Sequence, residues 1–175
     1  YVATHHPLHA RDTIDALNAG KPVLCEKPFA MSQAETQAMV DAAKKNNLLL
    51  MEAMWARYLP HMIRIREIIK SGVLGEIISV RADHGQWFKL DPEFRLFKAE
   101  LGGGALFDLG IYPISFASMV LGTPERVTAR STKAFTGVDG QTSIILEYKS
   151  GAQAILNATN LAATPNRALI VGRDA

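Results

Sequence analysis

Within the first 54 residues, short apolar runs alternate with segments of helical period, and this alternation narrows the possible architectures more than any other feature. Tyr1-Val2-Ala3 reads as the end of a strand. Residues 8–19 then place Ala10, Ile14 and Leu17 on one helical face and close on Gly20, a residue suited to a left-handed cap. Pro22-Val23-Leu24-Cys25 follows as a strand, and its lack of polar alternation predicts burial on both faces. Ser32 with Glu35 three residues later makes a capping box. It opens a helix whose inner stripe is Thr36, Met39, Val40 and Ala43, and Asn46-Asn47 ends it. Leu48-Leu49-Leu50-Met51 is a further buried-strand candidate. Strand, helix, strand, helix, strand is the later half of a doubly wound α/β sheet.

Beyond Met54 the texture changes. Residues 60–70 predict a helix with Met62, Ile65 and Ile69 inward and Gly72 as its cap. Ile78, Val80 and Ala82 alternate with Ser79, Arg81 and Asp83, the period of a strand buried on one side. A helix near residues 104–121 precedes strands near 125–135, 142–149 and 152–160, the last two joined by a tight turn at Ser150-Gly151. Ala168-Leu169-Ile170-Val171 would be one more strand. Hairpins and one long helix predict an α+β domain on an open, mostly antiparallel sheet. The expected division is residues 1–54 and residues 55–175, the second incomplete at its C-terminal end.

Composition excludes some classes of function. The 175 residues carry 19 basic and 17 acidic side chains, a net charge of +2, too small and too mixed to argue for nucleic acid or a membrane anchor. No apolar run is read as approaching the ~18 residues of a membrane span. Cys25 is the single cysteine, which excludes an internal disulfide framework and fits a reducing compartment, so a cytoplasmic protein is expected. The chain opens on Tyr1 and stops just after an apolar run, and both ends read as cuts through secondary structure.

Four segments could carry chemistry. Glu26-Lys27-Pro28 stands at the carboxyl end of a predicted strand, where open α/β sheets bind their ligands, although a lysine in a surface loop is the plain alternative. Gly102-Gly103-Gly104 opens the helix that carries Asp108 and Tyr112, four residues apart on one face. An acid and a phenol on one face, joined by a lysine, would make a proton-transfer set. The alternative is an acid complementing a helix start and an ordinary half-buried tyrosine. Pro113 cannot donate to the carbonyl of Leu109, so a kink is expected just past Tyr112. Thr4-His5-His6-Pro7-Leu8-His9 invites a metal reading, but no carboxylate or cysteine stands at ligand spacing, and a ligand-contacting loop is the better reading; no metal is expected. Met54-Trp55-Ala56-Arg57-Tyr58 offers aromatic surface and a cation at the domain boundary, or simple packing.

Together these residues resemble a known family. Ala3-Thr4, Leu8-His9 and the run Ala19-Gly20-Lys21-Pro22-Val23-Leu24-Cys25-Glu26-Lys27-Pro28 are similar to the later part of the nucleotide-binding domain of the Gfo/Idh/MocA oxidoreductases. The segment from Gly102 to Tyr112 resembles that family's second signature. Residues 51–60 and 108–113 resemble its trans-1,2-dihydrobenzene-1,2-diol dehydrogenase / D-xylose dehydrogenase branch.

The resemblance implies an NAD(P)-dependent oxidoreductase with a Rossmann domain followed by an open-sheet domain. It implies Lys27 as the active-site lysine, Tyr112 as general acid/base and Asp108 as the acidic partner. Thr4, His6, His9, Glu26 and Lys27 would lie along the cofactor, with Trp55 and Arg57 near the nicotinamide end. The branch favours NADP over NAD, a polyol, aldose or diol substrate, and a homo-oligomer formed through the open sheet face. The family's first strand and glycine-rich dinucleotide turn should precede Tyr1, so the isolated chain is expected to be an inactive fragment that does not bind NAD(P) measurably. The remaining alternative is a non-catalytic ligand-binding or oligomerisation module on the same fold.

Overall fold

A computed structural model describes all of residues 1–175. The chain divides into two compact units, residues 1–55 with 100–102, and residues 56–99 with 103–175.

The first unit follows the βαβ logic of its sequence. A 3₁₀ turn, His6–Leu8, leads into α1 (His9–Asn18), then β1 (Val23–Cys25), α2 (Gln33–Asn46) and β2 (Leu50–Glu52). β1 and β2 pair in parallel, Val23 opposite Leu50 and Cys25 opposite Glu52, while Val2 bridges in parallel to Cys25. Local chemistry sets the helix ends: Glu35 N–H donates to Ser32 Oγ at 3.2 Å, the Glu35 carboxylate accepts from Met31 N–H at 2.8 Å, and Asn47 closes α2 at φ 51°. Leu17, Met39 and Cys25 are fully buried and pack with Ala10, Val23 and Ala43. Burial of a leucine or methionine is worth roughly 1.5–3 kcal/mol, so this small core rests on few side chains.

Both strands differ from expectation in one respect. Leu24 is 40% exposed and Leu49 70% exposed, so neither apolar run is covered on both faces. Val23 and Cys25 point to the helices and Leu24 points away from them.

The second unit is a five-stranded sheet with helical cover. Its elements are α3 (Pro60–Lys70), β3 (Ile77–Gly85), α4 (Ile111–Leu121), β4 (Arg126–Lys133), β5 (Asp139–Glu147), β6 (Gln153–Thr159) and β7 (Ala168–Gly172). The strand order is β4-β5-β6-β3-β7. β3 runs parallel to β6, and every other neighbouring pair is antiparallel. Gly151, at φ 87°, makes the turn between β5 and β6. Val80, Phe116, Ala117, Ala154 and Leu156 form the core where α4 lies on β3 and β6, and Met62 and Ile65 of α3 pack against it. The opposite face presents Ile145, Ile155 and Leu169, all exposed.

Three expectations are corrected here. The register shifts at Ile77/Ser79, so Ile77 packs on the core and Ile78 is 43% exposed. The irregularity around Pro113 lies before Tyr112: Leu106–Gly110 is a π-helical turn leading straight into α4. Pro113 has no N–H to offer Leu109, and a wider turn is one way to absorb that missing bond. The helical stretch Ala99–Leu121 is long and apolar enough to cross a membrane by length and composition, contrary to the run-length reading above. In the fold its Phe116 and Ala117 are buried on the sheet.

Candidate active site

In the first unit the site is built on the turn that follows β1. Glu26-Lys27-Pro28 leaves the strand with a cis peptide between Lys27 and Pro28. Two supports fix its path. The imidazole of His9 sits beneath, with Nδ1 2.8 Å from the Pro28 carbonyl and Nε2 2.9 Å from the Thr4 carbonyl. From the side, Phe29 N–H donates to the Glu52 carboxylate at 3.1 Å, tying the turn to the end of β2. The Glu26 carboxylate accepts from Lys27 N–H at 3.1 Å and from the Tyr1 hydroxyl, and this second contact holds the Tyr1 phenol above its ordinary pKa. Cys25 is buried below the turn, and desolvation pushes its thiol pKa up.

The other residues assigned along a cofactor have definite places. Thr4 is exposed and its hydroxyl donates to Asp12 at 2.9 Å. Arg11 first, then Thr4, hold the Asp12 carboxyl below its usual range. His6 is buried, with Nδ1 3.0 Å from the Gly102 carbonyl. His9 requires a correction: with no exposed surface and a carbonyl at each nitrogen, its ring offers nothing to a ligand and braces the loops instead. No three His, Cys, Asp or Glu side chains converge as a metal centre would require. Trp55 is 55% exposed.

In the second unit the site grows from the glycine run. A Cβ on Gly103 would stand 2.7 Å from the carbonyl oxygens of Leu96 and Lys98, so only glycine lets that backbone lie so close. Gly103 N–H donates to Lys98 O at 2.9 Å and Gly104 N–H to Leu96 O at 2.8 Å. This packing brings the 3₁₀ turn Arg95–Phe97 beside the π-helical turn, where Arg95 Nη2 pairs with Asp108 Oδ1 at 3.1 Å. Asp108 is buried and the arginine half exposed. The glycines are therefore occupied by the protein's own backbone and side chains.

Tyr112, half-buried near the start of α4, meets the ring of His84 edge to face, with centroids 5.0 Å apart at 66°. His84 was invisible to motif reasoning, being a lone histidine near the end of a strand. Arg57 has local partners of its own. Its Nε donates to Ser115 Oγ at 2.9 Å and its Nη2 to Ser115 O at 3.0 Å, so the guanidinium straps the Trp55–Tyr58 turn to α4.

A parallel βαβ unit with a lysine just past a strand's carboxyl end, and a mixed sheet covered by the helix that carries Tyr112, define the class: part of a Rossmann-type fold followed by an open-sheet domain. Residues 1–54 match the profile described as "Oxidoreductase family, NAD-binding Rossmann fold", and residues 62–175 match "GFO/IDH/MocA C-terminal domain". The chain belongs to the GFO/IDH/MocA family.

Among its relatives, a trans-1,2-dihydrobenzene-1,2-diol dehydrogenase from Xenopus laevis is 44% identical over 174 residues, 98% of this chain and 52% of that protein. A D-xylose 1-dehydrogenase (NADP(+)) from Hypocrea jecorina is 38% identical, covering 96% of this chain and 46% of that one. The crystal structure of an aldose-aldose oxidoreductase from Caulobacter crescentus, complexed with glycerol, superposes with a TM-score of 0.92 at 34% identity, over 98% of this chain and 53% of that one. The chain thus spans about half the length of the relatives it matches.

Proposed function

We propose that this chain is part of an NAD(P)-dependent dehydrogenase acting on the carbinol carbon of a sugar or cyclic diol, with Tyr112 as acid/base and Lys27 assisting it. The observation that carries the reading is the position of Lys27. It stands two residues past the end of β1 of a parallel pair, inside the segment matched by the NAD-binding profile. Beyond the carboxyl ends of such strands is where these sheets hold dinucleotides. Thr4, Glu26 and Lys27 stand at those ends and fit the cofactor in polarity and position, whereas the ring of His9 does not. In this reading residues 1–54 belong to the cofactor domain, and residues 55–175 to the domain for substrate and self-association.

The bound nicotinamide supplies the hydride acceptor or donor. The chain's own residues manage the proton. A free tyrosine side chain, with a pKa of ~10, is a poor base at neutral pH. An ammonium group favours its phenolate, and this is the role proposed for Lys27. Asp108, held by Arg95, fixes the turn that leads into α4, the helix that carries Tyr112. The NADP(+) named for the xylose dehydrogenase favours NADP here. The exposed sheet face with Ile145, Ile155 and Leu169 is proposed as the surface for homo-oligomerisation, and the cytoplasm as the location.

The test uses the complete protein that carries this chain. Absorbance at the reduced-nicotinamide band is followed with NADP and NAD against D-xylose, other aldoses and cyclic trans-diols. Reduction by at least one of these substrates is expected. No turnover across the panel with either cofactor, in protein that binds the cofactor, would overturn the reading.

A further inference from the structure

We propose that His84 is a positioning residue for the Tyr112 phenol, an inference that rests on the proton-transfer role proposed above. His84 lies one residue before the end of β3, and Tyr112 is the second residue of α4. Their rings meet at 5.0 Å and 66°, the edge-to-face arrangement that aromatic pairs favour.

The imidazole is itself backed from the sheet. Gln86 Nε2 stands 3.3 Å from His84 Nε2, and Gln86 N–H donates to the Thr159 carbonyl of β6 at 3.1 Å. Between them, Gly85 N–H donates to Asn166 Oδ1 at 2.8 Å, and a Cβ at Gly85 would collide with Thr164 and the carbonyl of Ala162. The end of β3 is therefore pinned by β6 on one side and by the 162–166 loop on the other. A pinned strand end holds His84, and His84 limits the swing of the phenol.

This matters because the phenol can swing about its Cα–Cβ bond, and that swing carries the hydroxyl oxygen with it. A second ring lodged against the phenol limits the swing. A displacement of ~1 Å at a reacting oxygen can cost on the order of 100-fold in rate. The contact is therefore a device for orientation, and its effect should fall on turnover more than on binding.

The experiment compares His84→Phe, His84→Leu and His84→Ala in the complete protein, measuring kcat, substrate KM and NADPH binding by fluorescence. His84→Leu keeps bulk without a ring, and is expected to lower kcat by roughly 10-fold or more while KM and cofactor affinity change less than about 3-fold. His84→Phe restores the ring edge and should recover most of that loss. Wild-type kcat in His84→Leu, or His84→Phe no better than His84→Leu, overturns the inference. Gln86→Leu, at an exposed side chain, removes the backing with little risk to folding; it should lower kcat a few-fold, and an unchanged kcat also counts against the proposal. Tyr112→Phe is run alongside. If it turns over normally, the proton-transfer reading has failed and this one with it. If it is inactive while His84→Leu is normal, only the role of His84 has failed.

Discussion

Arg95 and Asp108 are paired across the glycine-rich turn at 3.1 Å, with the carboxylate side chain only 9% exposed and the guanidinium 43% exposed. The pair depends on Gly103, because the backbone carrying Arg95 lies against that residue. Replacement of Gly103 by alanine puts a methyl group against three backbone carbonyls that cannot rotate away. Overpacking of this kind costs about 1–3 kcal/mol. The urea midpoint of Gly103→Ala should fall accordingly, and turnover should fall with it as Asp108 loses its partner. An unchanged midpoint would show that the turn is softer than its contacts indicate.

Lys27→Ala and Tyr112→Phe in the complete enzyme should each reduce kcat by ~10²-fold or more, the scale of a lost general acid/base group. NADPH binding, measured by fluorescence titration, should survive in both. Near-normal turnover in either variant would remove that residue from the proposed mechanism.

His9 is an interior brace, and its removal should look structural before it looks catalytic. His9→Ala leaves a cavity and strips the ring from the carbonyls of Thr4 and Pro28. Loss of packing together with an unpaired carbonyl at Pro28 is worth about 2–4 kcal/mol. Thermal unfolding should show that loss, with cofactor affinity falling because the Lys27 turn is no longer held. A variant that melts like wild type but binds cofactor weakly would return His9 to direct contact.

Asp83 gives the fold an acid-sensitive joint. Burial works to raise its pKa, but the Thr164 hydroxyl and the backbone N–H groups of Asn166 and Arg167 outweigh it and hold the carboxyl below the usual range. A depressed folded pKa means the stabilisation is present above the unfolded value of about 3.9, and is lost as pH falls through the folded one. Asp83→Asn should therefore melt lower than wild type near neutral pH, and the gap should close on acidification below about pH 4. A gap of constant size from neutral to acid pH would show that the charge plays no part.

Local signals in the sequence carried much of this structure. Gly20, the Ser32/Glu35 pair and Asn47 mark helix ends by side-chain and backbone chemistry that needs no distant partner, and the helices end within a residue or two of them. The exposure of Leu24 and Leu49 was not legible, because an apolar run reads the same whether one face or both are covered. Ile78 gave way to Ile77 because a bulge shifts the register without altering the composition. In the site, Lys27 and Tyr112 sit in recognisable phrases, whereas His84 and Glu52 owe their places to partners 28 and 23 residues away. Whether Arg57 served a cleft or simple packing was not legible either, because its partner Ser115 lies 58 positions along the chain.

The pairing of β3 imposes an order on synthesis. Ser79 aligns with Gln153, and Val80 with Ile170, so this interior strand leaves the ribosome long before either flanking partner exists. The β4–β5 and β5–β6 hairpins can close locally, but the middle of the sheet must wait for distant sequence, the kind of contact that slows folding and leaves edges open to aggregation. A premature stop anywhere between Glu147 and Gly172 would thus release a protein with its hairpin or hairpins in reach and β3 bare on at least one side, a better substrate for chaperones and proteases than for catalysis.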